Sequence, residues 1–98
     1  MAIETLPFDA SRYLDSDEDH IELLSVALST GNAASIAAAL GIVARARGMT
    51  QIAREAGVTR EALYKALSAD GDPKLTTLLG VLKALGVELT ATKSKQSA

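Results

Sequence analysis

Five side chains with polar groups recur along one short segment at the spacing of a single helical face. They are Thr59, Arg60, Glu61, Tyr64 and Lys65. A guanidinium group such as that of Arg60 donates paired hydrogen bonds to guanine, and the ammonium group of Lys65 suits a phosphate. The Tyr64 side chain suits either a thymine methyl group or a phosphate. This combination is typical of a helix that reads base edges in the DNA major groove.

Glu61 has two interpretations at this position. Its carboxylate can accept a hydrogen bond from the N4 amino group of cytosine. Alternatively, it pairs with Lys65, which follows four residues later on the same helical face. We favour the pairing with Lys65.

The sequence of residues 49–68 predicts two short helices joined by a tight turn, which would hold this face in place. Gly57 can adopt the left-handed conformation that ends the first helix, and Thr59 can cap the second. Ala53 permits a close helix crossing, and Val58 supplies an apolar plug in the turn. The inward face consists of Ile52, Ala56, Leu63, Ala66 and Leu67.

The start of the first of these two helices provides a second set of candidate DNA contacts. Thr50 and Gln51 place a hydroxyl and an amide there, next to backbone N–H groups that have no partner within the helix. Such a helix start suits a DNA phosphate.

The remaining pattern predicts three more helices and therefore an all-α fold of five helices. Polar residues that favour helix starts precede them: Ser16, Asn32, and Asp72 followed by Pro73. Gly48 and Gly86 end the second and the last helix. The expected apolar stripes are Ile21, Leu24 and Leu28; Ile36, Leu40 and Val43; and Leu75, Leu78, Leu79, Leu82 and Leu85.

Outside the helices, alternating residues 87–91 predict a short C-terminal β-strand. An isolated strand is unstable, so it should pair with residues 3–6 or with its copy across a two-fold axis. We therefore expect an extended N-terminal segment at residues 1–15, a helical domain at residues 16–91 and a flexible tail at residues 92–98.

The net charge of −2 conceals two halves of opposite sign. Residues 1–40 contain seven acidic residues and one arginine, while residues 41–98 contain nine basic and five acidic residues. The basic half suits DNA, because phosphate affinity depends on the local patch rather than on the total charge. The acidic half suits a basic partner, and we place part of that interface at residues 8–28.

Other classes of function find little support in the sequence. There is no cysteine, no nucleophile–base pair and no phosphate-cradling glycine loop, so we expect neither a cofactor nor an enzyme. The acidic residues 15–19 are better explained as a helix start than as metal ligands, and we expect His20 to be solvated. No signal peptide or membrane span is evident, which favours a cytoplasmic protein.

The chain resembles the lambda-repressor-like (Cro-type) helix-turn-helix group at residues 49–68 and, more narrowly, the HigA-related addiction module antidote family over about residues 7–91. The motifs that carry the narrower resemblance are Pro7-Phe8-Asp9-Ala10, Tyr13-Leu14, Ala38-Ala39-Leu40-Gly41, Ala44-Arg45-Ala46-Arg47-Gly48-Met49, Arg60-Glu61-Ala62-Leu63-Tyr64-Lys65-Ala66-Leu67-Ser68, Gly71-Asp72-Pro73 and Val81-Leu82-Lys83-Ala84-Leu85-Gly86.

The resemblance implies a lambda-repressor-like domain that acts as the antitoxin of a bacterial type II toxin–antitoxin system. Such antitoxins bind a RelE/ParE-type toxin and, as homodimers, repress their own operon. Two alternatives remain open. One is a stand-alone or prophage Cro-like regulator, and the other is a protein-interaction module without DNA binding.

Overall fold

The computed structural model describes residues 16–94, and all regular secondary structure within that range is helical. The five helices are α1 (Asp17–Ser29), α2 (Ala33–Arg47), α3 (Met49–Ala56), α4 (Arg60–Ala66) and α5 (Leu75–Leu85). No helix in residues 16–94 is long and apolar enough to cross a membrane. The predicted extended segment at residues 1–15 lies outside the described residues.

Local capping signals define most of the helix ends, as the sequence predicts. The Ser16 hydroxyl accepts a hydrogen bond from the Asp19 N–H, and the Asn32 side chain accepts one from the Ser35 N–H. Gly86 ends α5 in a left-handed conformation. Each cap pairs a backbone group that the helix itself leaves without a partner.

The core lies among the five helices and consists almost entirely of aliphatic residues. Leu40 and Val43 of α2 are fully buried, together with Leu63 of α4 and Val81 of α5. The small side chain of Ala44 is also fully buried, and it allows α2 to lie close to its neighbours. A core with so many alanines depends on close backbone approach rather than on large side chains.

Two glycines mark the closest approaches between helices. A Cβ atom at Gly41 of α2 would overlap the backbone carbonyl oxygen of Leu67, at the end of α4. A Cβ atom at Gly80 of α5 would lie only 3.2 Å from the Cα atom of Ala56, at the end of α3. The backbones therefore touch where α2 meets α4 and where α5 meets α3.

The predicted C-terminal β-strand at residues 87–91 is wrong. Residues 87–94 contain neither helix nor strand. The N–H of Val87 donates a hydrogen bond to the carbonyl of Leu82 at 2.8 Å, which closes the end of α5, while the Val87 side chain packs against the core. No strand in residues 16–94 pairs with this segment, and residues 3–6, one of its two predicted partners, lie outside the described residues.

The last helix begins later than the sequence predicts. Lys74 is the N-cap and α5 starts at Leu75, so Asp72 and Pro73 lie in the preceding irregular segment. Gly71 packs against the backbone of Ala66 at the end of α4. The residues that follow Gly71 therefore connect α4 to α5. Proline also favours an extended conformation for the residue before it.

The prediction that His20 is solvated is wrong. Only 4% of His20 is exposed, and its Nδ1 atom accepts a hydrogen bond from Arg47 Nε at 2.9 Å. The buried side of α1 consists of His20, Leu24 and Ala27, so that of the predicted stripe Leu24 is buried, Leu28 is half-buried and Ile21 is exposed. The buried side of the helix includes the residue before Ile21, and Ile21 itself lies at the surface with 44% exposure.

We predict that Gly41→Ala lowers the free energy of unfolding by about 1–3 kcal/mol, the usual cost of overpacking. Helix propensity alone would give the opposite sign, with a gain of about 1 kcal/mol. The steric conflict dominates because the obstacle is a backbone oxygen, which cannot rotate away as a side chain can.

Chemical denaturation measures this difference. Ala46→Gly, at an exposed position of the same helix, is the matched control and reports the propensity term on its own. A Gly41→Ala variant as stable as the wild type or more stable would contradict the predicted contact.

Candidate nucleic-acid interface

Helix α4 is anchored by one side and exposes the other. Leu63 and Leu67 are fully buried in the core. The five residues of the predicted reading face are all exposed: Thr59, Arg60, Glu61, Tyr64 and Lys65. The predicted exposure is therefore confirmed, while the DNA contacts of these residues remain predictions.

The turn between α3 and α4 fixes how α4 leaves the core. Gly57 has a φ of 78°, in the left-handed region, and the N–H of Val58 donates to the carbonyl of Ala53 at 3.0 Å. The Thr59 hydroxyl accepts a hydrogen bond from the Ala62 N–H at 3.0 Å. The caps predicted at Gly57 and Thr59 are confirmed, and the Thr59 oxygen is already engaged within the protein.

Arg60 lies against the ring of Tyr64. Its guanidinium carbon is 5.5 Å from the ring centroid, within cation–π range. Its Nη2 atom donates to the Tyr64 hydroxyl at 3.4 Å, a long and therefore weak hydrogen bond. This hydrogen bond raises the pKa of the Arg60 guanidinium above its usual value, and the attraction of Tyr64 and Glu61 acts in the same direction. Arg60 stays cationic at every physiological pH.

A second arginine, Arg45, reaches the same ring from another helix. Arg45 lies in the last turn of α2, and its guanidinium carbon is 5.8 Å from the Tyr64 centroid. Sequence analysis missed this residue, because its nineteen-residue separation from Tyr64 gives no local periodicity. Only the packing of α2 against α4 brings the two together.

The predicted ion pair between Glu61 and Lys65 is wrong. In the described part of the chain, the Arg47–Asp17 contact at 2.8 Å is the ion pair that forms, and Glu61 and Lys65 do not pair with each other. Both side chains are exposed. Lys65 therefore keeps its charge available to a ligand, and the hydrogen bond from Glu61 to cytosine stays a prediction.

The start of α3 keeps its candidate residues at the surface. Thr50 and Gln51 are exposed, and no side chain caps this helix start. The Gln51 amide donates to the Glu55 carboxylate at 3.0 Å, so it would have to leave that partner to bind a phosphate. The backbone N–H groups of the first turn are the simpler donors there.

The described residues contain no candidate metal site. Within residues 16–94, no group of three or more histidine, cysteine or acidic side chains is arranged to hold a metal ion. The acidic first turn of α1, with Asp17, Glu18 and Asp19, instead complements the positive end of the helix dipole.

Comparisons with known proteins identify the family of this chain. A family model described as "Probable addiction module antidote protein" matches residues 4–93. A protein from Haemophilus influenzae, described only as uncharacterized, is 44% identical over 88 residues, which cover 90% of this chain and 91% of that protein. No solved structure matches the chain significantly. The chain therefore belongs to the family of probable addiction module antidote proteins.

Proposed function

We propose that this protein is a sequence-specific DNA-binding antitoxin of a type II toxin–antitoxin system. Family membership implies a toxin partner, because the antidote of an addiction module acts on the toxin of the same module. The finer statements are part of the proposal: a lambda-repressor-like, HigA-related helix-turn-helix, repression of its own operon, and a RelE/ParE-type toxin in the cytoplasm.

The proposal of DNA binding rests on one observation, which is that α4 is buried on one side and exposed on the other. Leu63 and Leu67 hold the helix in the core, while Arg60, Tyr64 and Lys65 project from its free side. In a helix-turn-helix, the second helix enters the major groove with such a free side, and the first helix lies across the phosphate backbone. Thr50 and Gln51 at the start of α3 suit that backbone contact.

Within this proposal the residues have separate roles. Arg60 donates paired hydrogen bonds to guanine, and Lys65 binds a phosphate. Tyr64 contacts a thymine methyl group or a phosphate, and Glu61 accepts from cytosine. Thr59 positions α4 through its cap, which leaves its methyl group for contact with DNA.

Helix α1 supports the assignment of a basic toxin as the second partner. Its outer side carries Glu18 and Glu22 together with two exposed apolar residues, Ile21 and Val26. Ile21 is 44% exposed and Val26 is 59% exposed. Apolar groups within an acidic surface suit a partner that offers basic residues around an apolar patch.

A homodimer completes the proposal, because a two-fold protein reads two half-sites and gains affinity from both. Leu75 and Leu79 of α5 support it, since they are 66% and 47% exposed although the sequence predicts them on the inward stripe. Exposed leucines adjacent on one helix are typical of a surface that another protein covers.

We predict that the protein binds the promoter upstream of its own gene more tightly than a scrambled duplex of the same length. Affinity for both duplexes should fall steeply between about 50 and 200 mM salt, because each phosphate contact releases counterions. A salt titration followed by fluorescence anisotropy measures this. Equally poor binding of both duplexes at physiological salt would favour an interaction module that lacks DNA binding.

Two substitutions on α4 separate base reading from phosphate binding. Arg60→Ala should cost roughly 1–3 kcal/mol on the promoter and relax base choice, whereas Lys65→Ala should weaken all sequences alike. Each variant serves as the control of the other, since both remove one exposed positive charge from the same helix. A sequence-selective loss in Lys65→Ala, or a uniform loss in Arg60→Ala, would contradict these roles.

For the toxin surface, we predict that the double variant Glu18→Lys and Glu22→Lys slows association with the product of the neighbouring gene at least tenfold. The control is Glu88→Lys together with Glu55→Lys, which makes the same change in charge away from α1. Stopped-flow or surface-based kinetics at two salt concentrations gives the rate. Equal association rates for the two double variants would remove α1 from the toxin interface.

The neighbouring gene also tests the stand-alone regulator. A short, basic partner that co-purifies with this protein supports the antitoxin, and its absence from a native complex supports the Cro-like regulator. Removal of residues 1–15 extends the test to the part of the predicted toxin interface that lies outside the described residues.

A further inference from the structure

We propose that Arg45 is a phosphate-binding residue of the DNA surface, which the ring of Tyr64 holds in position. The inference rests on the proposed DNA binding and adds to it a residue from outside the two helices of the motif. It rests on the close approach of α2 to the end of α4 at Gly41 and Leu67, and on the positions of Arg45 and Arg60 at the Tyr64 ring.

The backbone contact between α2 and the end of α4 lies near Arg45. Gly41 touches the carbonyl of Leu67, and Arg45 follows Gly41 by four residues on the same side of α2. Tyr64 precedes Leu67 by three residues on α4, so it meets Arg45 one turn away from the backbone contact. The Arg45 guanidinium carbon lies 5.8 Å from the Tyr64 ring centroid, close to this backbone contact.

Two guanidinium groups consequently share one aromatic ring. Arg60 lies 5.5 Å from the Tyr64 centroid and Arg45 lies 5.8 Å from it. Neither arginine forms an ion pair with a carboxylate in residues 16–94. Two like charges at one ring repel each other, and this repulsion is relieved when an anion binds beside them.

Arg47, on the same turn of α2, has a structural role and can be compared with Arg45. It donates to His20 and pairs with Asp17, so its charge is neutralised on the side of α1. Residues two apart on a helix point about 200° apart, and Arg45 therefore faces the opposite side. No carboxylate in residues 16–94 pairs with Arg45, so its charge is available on the α4 side, and in the proposed function its ligand there is the phosphate backbone.

The substitution Arg45→Gln tests the inference, because it removes the charge and keeps a planar polar group. At 0.15 M salt we expect roughly a fivefold loss of affinity, the ion-release value of a single phosphate contact. The loss should be equal on the promoter and on a scrambled duplex, and the salt slope should fall by about 0.9. Arg45→Lys should keep most of the slope.

The matched control is Arg47→Gln, which removes the same charge from the same helical turn but on the side of α1. It should leave the salt slope unchanged. Thermal melts of both variants show whether each is folded. A purely structural Arg45 would lower the melting temperature of Arg45→Gln and leave its salt slope at the wild-type value, which would overturn the proposal.

A double-mutant cycle tests the role of the Tyr64 ring. Tyr64→Phe keeps the ring and should keep the full effect of Arg45→Gln, while in Tyr64→Leu that effect should shrink to less than twofold. An unchanged effect in Tyr64→Leu would show that the ring does not position Arg45.

The outcomes separate this inference from the function on which it rests. If Arg60→Ala and Lys65→Ala weaken binding while Arg45→Gln does not, only the role of Arg45 fails. If the wild type does not bind either duplex, DNA binding and the role of Arg45 fail together.

Discussion

The backbone contact between Gly41 and Leu67 is the constraint on which the rest of the site depends. It brings α2 against the residue that ends α4, while the turn at Gly57 and the buried side chains of Leu63 and Leu67 determine which side of α4 stays exposed. Because the obstacle to any side chain at position 41 is a carbonyl group, the contact tolerates little adjustment. A rigid junction of this kind suits a surface that must match the fixed spacing of DNA phosphates.

Sequence reasoning succeeded where the determining interaction is local. Ser16, Asn32, Gly57 and Thr59 each act on backbone groups within about four residues, so residue type and position are sufficient to predict the cap. The exposed side of α4 was predictable for the same reason, because Leu63 and Leu67 leave only one side of a short helix free.

The wrong or missed predictions concern features that depend on contacts between distant parts of the chain. His20 is buried and accepts a hydrogen bond from Arg47, twenty-seven residues later, while its neighbour Ile21 faces outward. In the segment predicted as a strand, Val87 instead closes the end of α5, and Arg45 was missed because only the folded chain brings it to Tyr64. A short alternating pattern or a single arginine does not contain that information.

The last turn of α2 explains how a chain of net charge −2 can present two surfaces of opposite sign. Arg47 and Asp17 neutralise each other, so the remaining acidic residues of α1 dominate its outer side. Arg45 points the other way and adds to the charges of Arg60 and Lys65. Since screening in physiological salt limits each charge to about 8 Å, an approaching partner responds to one surface at a time. Net charge is therefore a poor guide to the partners of this protein, and the direction of each arginine on α2 is a better one.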